Sequence, residues 1–415
     1  MSGDRSEKVM KSRVAIRRGG VPADMAYQAL VEASSDPGAF RNKTVLVKPN
    51  AGFIAKSPGT GMVTDSETVR GVVRFFRDAG AGRVLVGDGA IAGVDAAEAL
   101  EAAGMAEVAR QEGGIPVNLD NGRPVQVHVE NPMAVDRMKI SSIAFEADIL
   151  VSVPVMKSHM NTVISLGIKN LKGCLHRREK QRFHHLIEED RFRPWHRWKT
   201  LERAIADLYR MMPPHAVVLD GIVGMEGLGP TMGEPKPLGL VIASESPLAA
   251  EVAGLHVMGL HWRDVPHVFL SAEKAGVALP EQADLLNVDR NLLHEAYSPF
   301  ARALPEDIAH LYPHFQIVEG DACSACCATV TAFLKQSGAG YVGRLPGDIR
   351  IVLGKNVAPG LVDRKTILLG NCTMDLRDRG RFIVGCPPVG SDIVREISEI
   401  DKEGSAACDE SGIGE

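Results

Sequence analysis

Short apolar segments alternate with amphipathic ones along the chain, and this alternation constrains the fold more than any other feature. Residues 45–50 form an apolar run that stops at a proline, and residues 84–89 form another. Between them, Val69, Val72 and Phe76 recur at helical spacing. Strands and helices that alternate in this way form parallel sheets covered by helices. The sequence therefore predicts an α/β fold built on a parallel, Rossmann-like sheet.

The same pattern divides the chain. Further strands are predicted at 148–154, 215–220 and 238–243, the pattern weakens after residue 261, and short strands resume near residue 349. We predict an α/β domain over 1–261, a linker or interdomain region over 262–312, a smaller α/β domain over 313–400 and a disordered tail over 401–415.

Composition excludes several classes of function. Lys plus Arg total 47 and Asp plus Glu total 52, a net charge of −5, whereas nucleic-acid binders usually carry a basic excess. No apolar run reaches the roughly 18 residues that span a bilayer, and the polar start has no apolar signal segment. We therefore expect a cytoplasmic protein that binds neither nucleic acid nor membrane.

Cysteines give the strongest chemical signal. Cys323 and Cys326 form a C-x-x-C pair, and Cys372 and Cys386 each follow a predicted strand. Parallel strands end at one edge of a sheet, so these four thiolates could converge there. Four thiolates with a Cys-Pro corner suit a [4Fe–4S] cluster, which makes Cys323, Cys326, Cys372 and Cys386 the candidate metal ligands.

Other interpretations of these cysteines remain open. Four thiolates also bind zinc, although structural zinc sites usually have two close pairs. Redox-active thiols and ordinary buried cysteines are further possibilities. We prefer Cys326 to its neighbour Cys327 because of its C-x-x-C spacing, and we place Cys174 and Cys408 outside the site.

Lysines and histidines gather after the strand predicted at 148–154. Lys157 and His159 follow the strand directly, Lys169 lies ten residues after His159, and His185 lies sixteen residues later beside His184. An electropositive crevice of this kind suits a carboxylate or phosphate, and a crowded lysine can act as base or nucleophile. We predict catalytic roles for Lys157, His159, Lys169 and His185. The alternative is a solvated basic loop.

Polar residues near other predicted strand ends are candidates for binding the same anionic molecule. Ligands of such sheets bind beyond the carboxyl ends of the strands. Glycines at 221, 224, 227 and 229 also permit close backbone approach, unless that segment is a lid without ligand contact. The candidate substrate-binding residues are Lys48, Asn50, Asp88, Asn170, Lys172, Asp220 and Glu226.

Together these motifs resemble a known family. Lys48-Pro-Asn50, Gly87-Asp88, and the segments 155–159, 167–173 and 220–230 are similar to the domain-of-unknown-function family three-six-two. The resemblance covers residues 43–260 and implies an iron–sulfur cluster-binding protein. Many members carry a ferredoxin module with two four-cysteine runs, which this sequence lacks. The family usually has Asp where this chain has Glu251.

The order His159, Lys169, His185 is also similar to the lactate racemase family. In that family a lysine tethers a nickel-pincer nucleotide, and histidines bind nickel or transfer protons. The glycine-rich sequence around the racemase lysine is absent here, so this resemblance implies a shared pocket rather than a shared cofactor.

From these observations we expect a cytoplasmic iron–sulfur protein with one [4Fe–4S] cluster and a Lys/His pocket for an anionic small-molecule substrate, with redox or Lewis-acid chemistry if it is an enzyme. A redox partner protein would then be needed for electron transfer. One alternative is a non-catalytic electron-transfer or cluster-carrier protein. The other is a racemase-like isomerase with His159 and His185 as paired bases.

Overall fold

The structure, a computed structural model, describes residues 11–301 apart from 58, 187, 188, 190, 191, 193, 194, 196 and 197, and then residues 309–312, 314–341 and 348–410. The chain divides into two compact units, Met1–Ala301 and Arg302–Glu415. None of the helices in this described part combines the length and the apolar composition that a bilayer-spanning helix needs.

The first unit contains twelve described strands and eleven described α-helices. The strands are β1 (Arg13–Arg18), β2 (Thr44–Pro49), β3 (Arg83–Asp88), β4 (Ile115–Asn118), β5 (Pro124–His128), β6 (Arg137–Ser141), β7 (Ile149–Val153), β8 (Val155–His159), β9 (Val163–Ser165), β10 (Ala216–Glu226), β11 (Glu234–Ser244) and β12 (Asn287–Val288). The helices are α1 (Pro22–Ala33), α2 (Ser66–Asp78), α3 (Ala96–Ala102), α4 (Met105–Gln111), α5 (Ser142–Glu146), α6 (Gly167–Asn170), α7 (Glu179–Arg182), α8 (Thr200–Met211), α9 (Pro247–Val257), α10 (Pro266–Ala275) and α11 (Arg290–Glu295).

The large sheet of this unit is mostly parallel. Its order is β12-β1-β11-β10-β7-β2-β3-β4, and β8 pairs with β10 and β9 beside this path. Strands β10, β7, β2, β3 and β4 are parallel to their neighbours within that run, whereas β11 is antiparallel to both β10 and β1. The predicted α/β class is confirmed, with an antiparallel extension at one side. Strands β5 and β6 form a separate antiparallel pair.

Both faces of this sheet are buried, which explains the near-continuous apolar runs of its central strands. Val45 and Val47 belong to the core on one face, and Leu46 between them belongs to the core on the other. Helix α2 packs on the first of these faces through Val69, Val72 and Phe76. The alternation therefore fixes which residues of each strand face which helix layer.

Residues 262–301 belong to the first unit, in contrast to the expected linker. Helix α10 starts with a proline and buries Val268 and Leu270, and Leu293 of α11 and Phe300 are also buried. The weak periodicity of this segment reflects two short helices joined by irregular backbone. The expected boundary at residue 261 therefore moves to residue 301.

The second unit is a smaller α/β unit, as expected. Its strands are β13 (Phe315–Gly320), β14 (Ile349–Gly354), β15 (Ile367–Leu369) and β16 (Arg381–Ile383), and its α-helices are α12 (Ser324–Ser337) and α13 (Gly390–Glu410). The four strands pair in this order and are all parallel. Helix α13 continues to Glu410, into the segment expected to be a disordered tail, and residues 411–415 lie outside the described part.

Candidate functional site

A buried ion pair lies where β2 and β3 end. Lys48 Nζ is 2.6 Å from Asp88 Oδ1, and both side chains are almost fully buried. The other carboxylate oxygen of Asp88 accepts a hydrogen bond from the Ala51 amide at 2.8 Å. Gly173 covers the pair so closely that a Cβ atom there would lie 2.7 Å from Lys48 Nζ. The pairing explains how two charges are tolerated in this position, since a buried charge requires a partner.

Asn170 joins this pair to helix α6. Its Oδ1 accepts a hydrogen bond from Lys48 Nζ at 2.9 Å, and its Nδ2 donates to Lys48 O and Ser152 Oγ, both at 3.0 Å. Every polar atom of this buried amide therefore has a partner within the sheet. Asn170 was predicted to bind substrate; in the structure it fixes Lys48 and the end of α6.

Lys157, another of the residues predicted to be catalytic, is buried at the end of β8. Its Nζ donates to Asn50 Oδ1 at 2.7 Å and to Met62 O at 2.8 Å. Burial first and the positive charge of Lys169 second lower the pKa of Lys157 to about 7, while Asp88 opposes this shift. The amine of Lys157 can therefore exchange a proton near neutral pH.

His159 and Lys169 are in direct contact. Lys169 Nζ lies 3.0 Å from His159 Nε2, and both side chains are buried. The backbone amides of Asn161 and Thr162 donate to His159 Nδ1 at 3.1 and 3.3 Å. Burial lowers the pKa of Lys169 to about 8 and holds that of His159 well below its ordinary value. His159 and Lys169, two of the residues expected to line one crevice, therefore lie side by side.

Lys172 contacts His184, the neighbour of the predicted His185. Lys172 Nζ is in hydrogen-bond contact with His184 Nε2, whereas His185 is exposed. Consecutive residues of a helical turn point about 100° apart, so only one of two adjacent histidines can face the lysine. The sequence showed both histidines but not which of them faces inward.

Glu251 of α9 holds helix α6, which carries Lys169. Glu251 Oε1 accepts a hydrogen bond from the Ile168 amide at 2.7 Å. Burial raises the pKa of Glu251 to about 7, against the effect of the nearby His267. His267 in turn contacts Glu202 Oε2 through Nδ1 at 2.6 Å. Glu251 thus has a structural role at the position where the resembling family usually has Asp.

Asp220 and Glu226, predicted to bind substrate, have other partners. Asp220 Oδ2 accepts from the Asp65 amide at 2.6 Å, and burial raises the pKa of Asp220 to about 7. Glu226 pairs with Lys236 at 2.7 Å and accepts from the Ala301 amide at 2.9 Å. These carboxyl groups organise the start of α2 and the end of the first unit.

The remaining groups form one electropositive site, which we call the lysine–histidine cluster. Its members are Lys48, Asp88, Lys157, His159, Lys169, Lys172 and His184. The charges of Lys157, Lys169 and Lys172 all act on the pKa of His159. With Asp88 already paired to Lys48, this arrangement favours an additional negative charge.

Three cysteines of the second unit occupy equivalent positions after parallel strands. Cys323, Cys372 and Cys386 lie three residues after the last residues of β13, β15 and β16. Adjacent strands end in register, with Gly320 opposite Gly354 and Leu369 opposite Ile383. The three thiols therefore enter at one edge of the four-stranded sheet.

Cys326 completes the set from the first turn of α12. Gly370, two residues before Cys372, lies against it, since a Cβ atom on Gly370 would be 3.2 Å from Cys326 Sγ. A hydrogen bond with the Cys323 thiol and burial raise the pKa of Cys326, and Cys372 adds to this effect. Burial and then Cys323 raise the pKa values of Cys372 and Cys386. The four thiols are thus close enough to influence one another.

The donor set fits a metal cluster chemically. The six cysteines whose side chains are described are all in the thiol form. Within the described part of the chain, no three His, Cys, Asp or Glu side chains are grouped so that they could hold a single metal ion. A cubane has no need of such a group, because each of its thiolates binds a different iron atom.

Comparison with known proteins identifies similar chains. The thylakoid-associated protein sll1697 of Synechocystis sp. is 28% identical over 287 residues, which cover 66% of this chain and 83% of that protein. The lactate racemase apoprotein of Thermoanaerobacterium thermosaccharolyticum superposes with a TM-score of 0.39 at 11% identity, covering 91% of this chain and 84% of that one. A crystal structure of a protein from Thermotoga maritima superposes with a TM-score of 0.34 at 14% identity, covering 61% of this chain and 60% of that one.

A protein-family profile matches a continuous stretch of the first unit, including the residues between the motifs. The family profile described as Domain of unknown function (DUF362) matches residues 45–256. This range runs from β2 to the last turn of α9 and includes every member of the lysine–histidine cluster. On this match, the chain belongs to the DUF362 family.

Proposed function

We propose that this protein is a cytoplasmic iron–sulfur protein. Its second unit binds one [4Fe–4S] cluster through Cys323, Cys326, Cys372 and Cys386, and its first unit binds an anionic small molecule at the lysine–histidine cluster. The observation that carries the proposal is the repeated three-residue offset between a strand end and a cysteine in β13, β15 and β16.

Ligand chemistry supports a cluster at this position. A [4Fe–4S] cluster held by thiolates accepts and returns single electrons. The raised pKa values of Cys326, Cys372 and Cys386 keep these thiols protonated at neutral pH, so binding of iron must release protons. Lys355 lowers the pKa of Cys372 and so favours the thiolate that ligation requires. Free thiols of this kind persist in a reducing compartment such as the cytoplasm.

The anion site follows from charge. Lys157, Lys169 and Lys172 surround His159, and burial strengthens their interaction with an incoming negative group. A desolvated carboxylate or phosphate paired with a lysine gains about 1.5–3 kcal/mol per charge-assisted hydrogen bond. In the first unit the protonated lysines bind and orient the anion, and a lysine whose pKa is lowered accepts a proton when it is in the amine form.

Anaerobic purification tests the cluster directly. We expect brown protein with about four iron and four sulfide per chain, and an EPR signal of a cubane after reduction. Zinc and nickel are measured in the same samples. Stoichiometric zinc without iron, after anaerobic expression with sufficient iron, would show that the thiols hold a different metal and would overturn the proposal.

A further inference from the structure

The position of one proton at His159 follows from the hydrogen bonds around its ring. Nδ1 accepts the backbone N–H groups of Asn161 and Thr162, so Nδ1 carries a lone pair and no hydrogen. A neutral imidazole has one N–H group, which must then be on Nε2. Burial keeps this ring neutral, because it lowers the pKa of His159 well below the ordinary value, and the charges of Lys172 and Lys157 act in the same direction.

This tautomer determines the state of Lys169. The Nε2–H group of His159 points at Lys169 Nζ across 3.0 Å. An ammonium group has three donors and no lone pair, so it cannot accept this hydrogen bond, whereas a neutral amine can. The contact therefore selects the uncharged amine of Lys169. Burial acts in the same direction.

We propose that Lys169 is a nucleophile that forms an imine with an anionic aldehyde or ketone. The proposal deepens the function proposed above and rests on the anion site of the lysine–histidine cluster. Lysine amines that are kept neutral by burial or by neighbouring cations react with carbonyl carbon in this way. Lys157 and Lys172 supply the positive charge that would hold the anionic group of the substrate.

The reaction balances without an oxidant or reductant. Lys169 Nζ attacks the carbonyl carbon and forms a C–N bond, and the carbonyl oxygen becomes the hydroxyl group of a carbinolamine. The C–O bond then breaks, and the oxygen leaves as water with both hydrogens of the amine. His159 Nε2–H can donate to that oxygen once the lone pair of Lys169 has turned toward carbon.

A buried acceptor beside His159 supports a ligand at this point. Asn161 Oδ1 is buried, and it has no hydrogen-bond partner among the described residues. Leaving such an oxygen unpaired costs about 1–3 kcal/mol, so a ligand that brings a donor is favoured here. A carbinolamine hydroxyl is a donor of this kind.

Reductive trapping of the imine tests the proposal. The full-length protein is incubated with glyoxylate, an anionic aldehyde, and cyanoborohydride, and carboxymethylated lysines are located by peptide mass spectrometry. Glycolaldehyde, an uncharged aldehyde that leaves a hydroxyethyl group on lysine after reduction, is the matched control and is followed by the mass of that group. We expect labelling at Lys169 to be at least about tenfold faster than at the exposed Lys43, because burial lowers the pKa of Lys169 to about 8 and so makes more of its amine available as a nucleophile.

Variants separate the role of each group. Lys169→Arg should abolish the label at this position and leave that at Lys43 unchanged. His159→Phe removes the donor that selects the neutral amine, so labelling of Lys169 should slow and its pH profile should move upward from about pH 8. His159 is thus tested as a positioning residue by a pH profile, which a purely structural role would not move.

Two outcomes would overturn the proposal: labelling of Lys169 no faster than that of Lys43, or labelling equally fast with glyoxylate and glycolaldehyde. Both measurements use the wild-type protein and stand even if the variants fail to fold. Iron and sulfide content, measured in the same preparation, keeps the test separate from the proposed cluster. Fast labelling of Lys169 in protein that contains no iron would support the imine and contradict the proposed cluster.

Discussion

Lys48 and Asp88 form an ion pair of 2.6 Å inside the first unit, and the two side chains retain no more than 2% of their exposed surface. The pair joins the ends of two adjacent parallel strands and is covered by Gly173. Its two charges are balanced, so the positive charge of the neighbouring amines remains available to a ligand. The pair therefore has a structural role in the site and is not one of its reactive groups.

Removing one charge of this pair should destabilise the protein strongly. Asp88→Asn leaves Lys48 buried without a counter-charge, and breaking a buried pair in this way costs about 3–5 kcal/mol. We expect a loss of that size in the free energy of unfolding, measured by urea denaturation. Glu101→Gln, which breaks the exposed pair with Arg110, is the control and should change stability little. Equal effects of the two substitutions would contradict this account.

Cluster content should depend on four particular cysteines. Replacing any one of four cysteines by serine should remove most of the iron, because loss of a thiolate leaves one iron of the cubane without a protein ligand. The four substitutions are Cys323→Ser, Cys326→Ser, Cys372→Ser and Cys386→Ser. Cys174→Ser is the control, since Cys174 is buried in the first unit. Cys327→Ser should have a weaker effect or none. If Cys327→Ser abolishes iron binding and Cys326→Ser spares it, the assigned ligand is wrong by one residue.

Glu251 should make stability depend on pH in a defined direction. Its pKa is about 7 in the folded protein and 4.5 as an ordinary value. Between these values the unfolded chain ionises while the folded chain keeps its proton, so stability falls as pH rises from about 4.5 to about 7. Glu251→Gln removes this titration. Relative to the wild type, the free energy of unfolding of the variant should rise by up to about 3 kcal/mol between pH 5 and pH 8. The rise is about 1.4 kcal/mol per pH unit and ends near the folded pKa.

Denaturation of both proteins across this pH range checks the prediction. The difference between the two curves isolates Glu251, because Asp220 and other titrating groups contribute to both. A difference that stays constant from pH 5 to pH 8 would show that Glu251 is already ionised in the folded protein.

Gly173 should tolerate no side chain. A Cβ atom at this position would meet Lys48 Cε at 2.6 Å and Lys48 Nζ at 2.7 Å, and these atoms are held by Asp88 and Asn170. Gly173→Ala is therefore expected to cost about 1–3 kcal/mol through overpacking. Gly52→Ala is a matched control in the same unit, since a Cβ atom there would meet nothing within 4 Å. Thermal unfolding of the two variants is the measurement. Gly173→Ala should unfold at a clearly lower temperature than Gly52→Ala, and equal unfolding temperatures would contradict the prediction.

Periodicity predicted the architecture well because it reports how each element is buried. The parallel strands β2, β3 and β7 and the helix α2 lie where the apolar pattern indicated. The antiparallel direction of β11 was not visible, because strand direction depends on the connection and not on the strand's own residues. At the start of α2, Asp65 caps the helix, while Thr64 Oγ1 donates to Val153 O at 2.7 Å.

The site was predictable in outline and not in detail. Lys157, His159 and Lys169 converge as their positions after a strand suggested. The choice between His184 and His185 depends on the exact phase of a short turn, which spacing does not define. The boundary at residue 301 could not be found, because α10 and α11 are too short to show a clear period. The cysteine positions after β13, β15 and β16 were visible as strand-end residues, but the equal offset appeared only in the structure.

That equal offset has a consequence for the order of events during biosynthesis. Cys323 and Cys326 leave the ribosome before β14 exists, whereas Cys386 follows β16, the last strand of the sheet. A metal group ligated by all four thiols can be completed only after β16 has paired with β15. The proposed cluster would therefore be completed only after the whole second unit has been synthesised, and Cys323 and Cys326 would have to stay reduced until then.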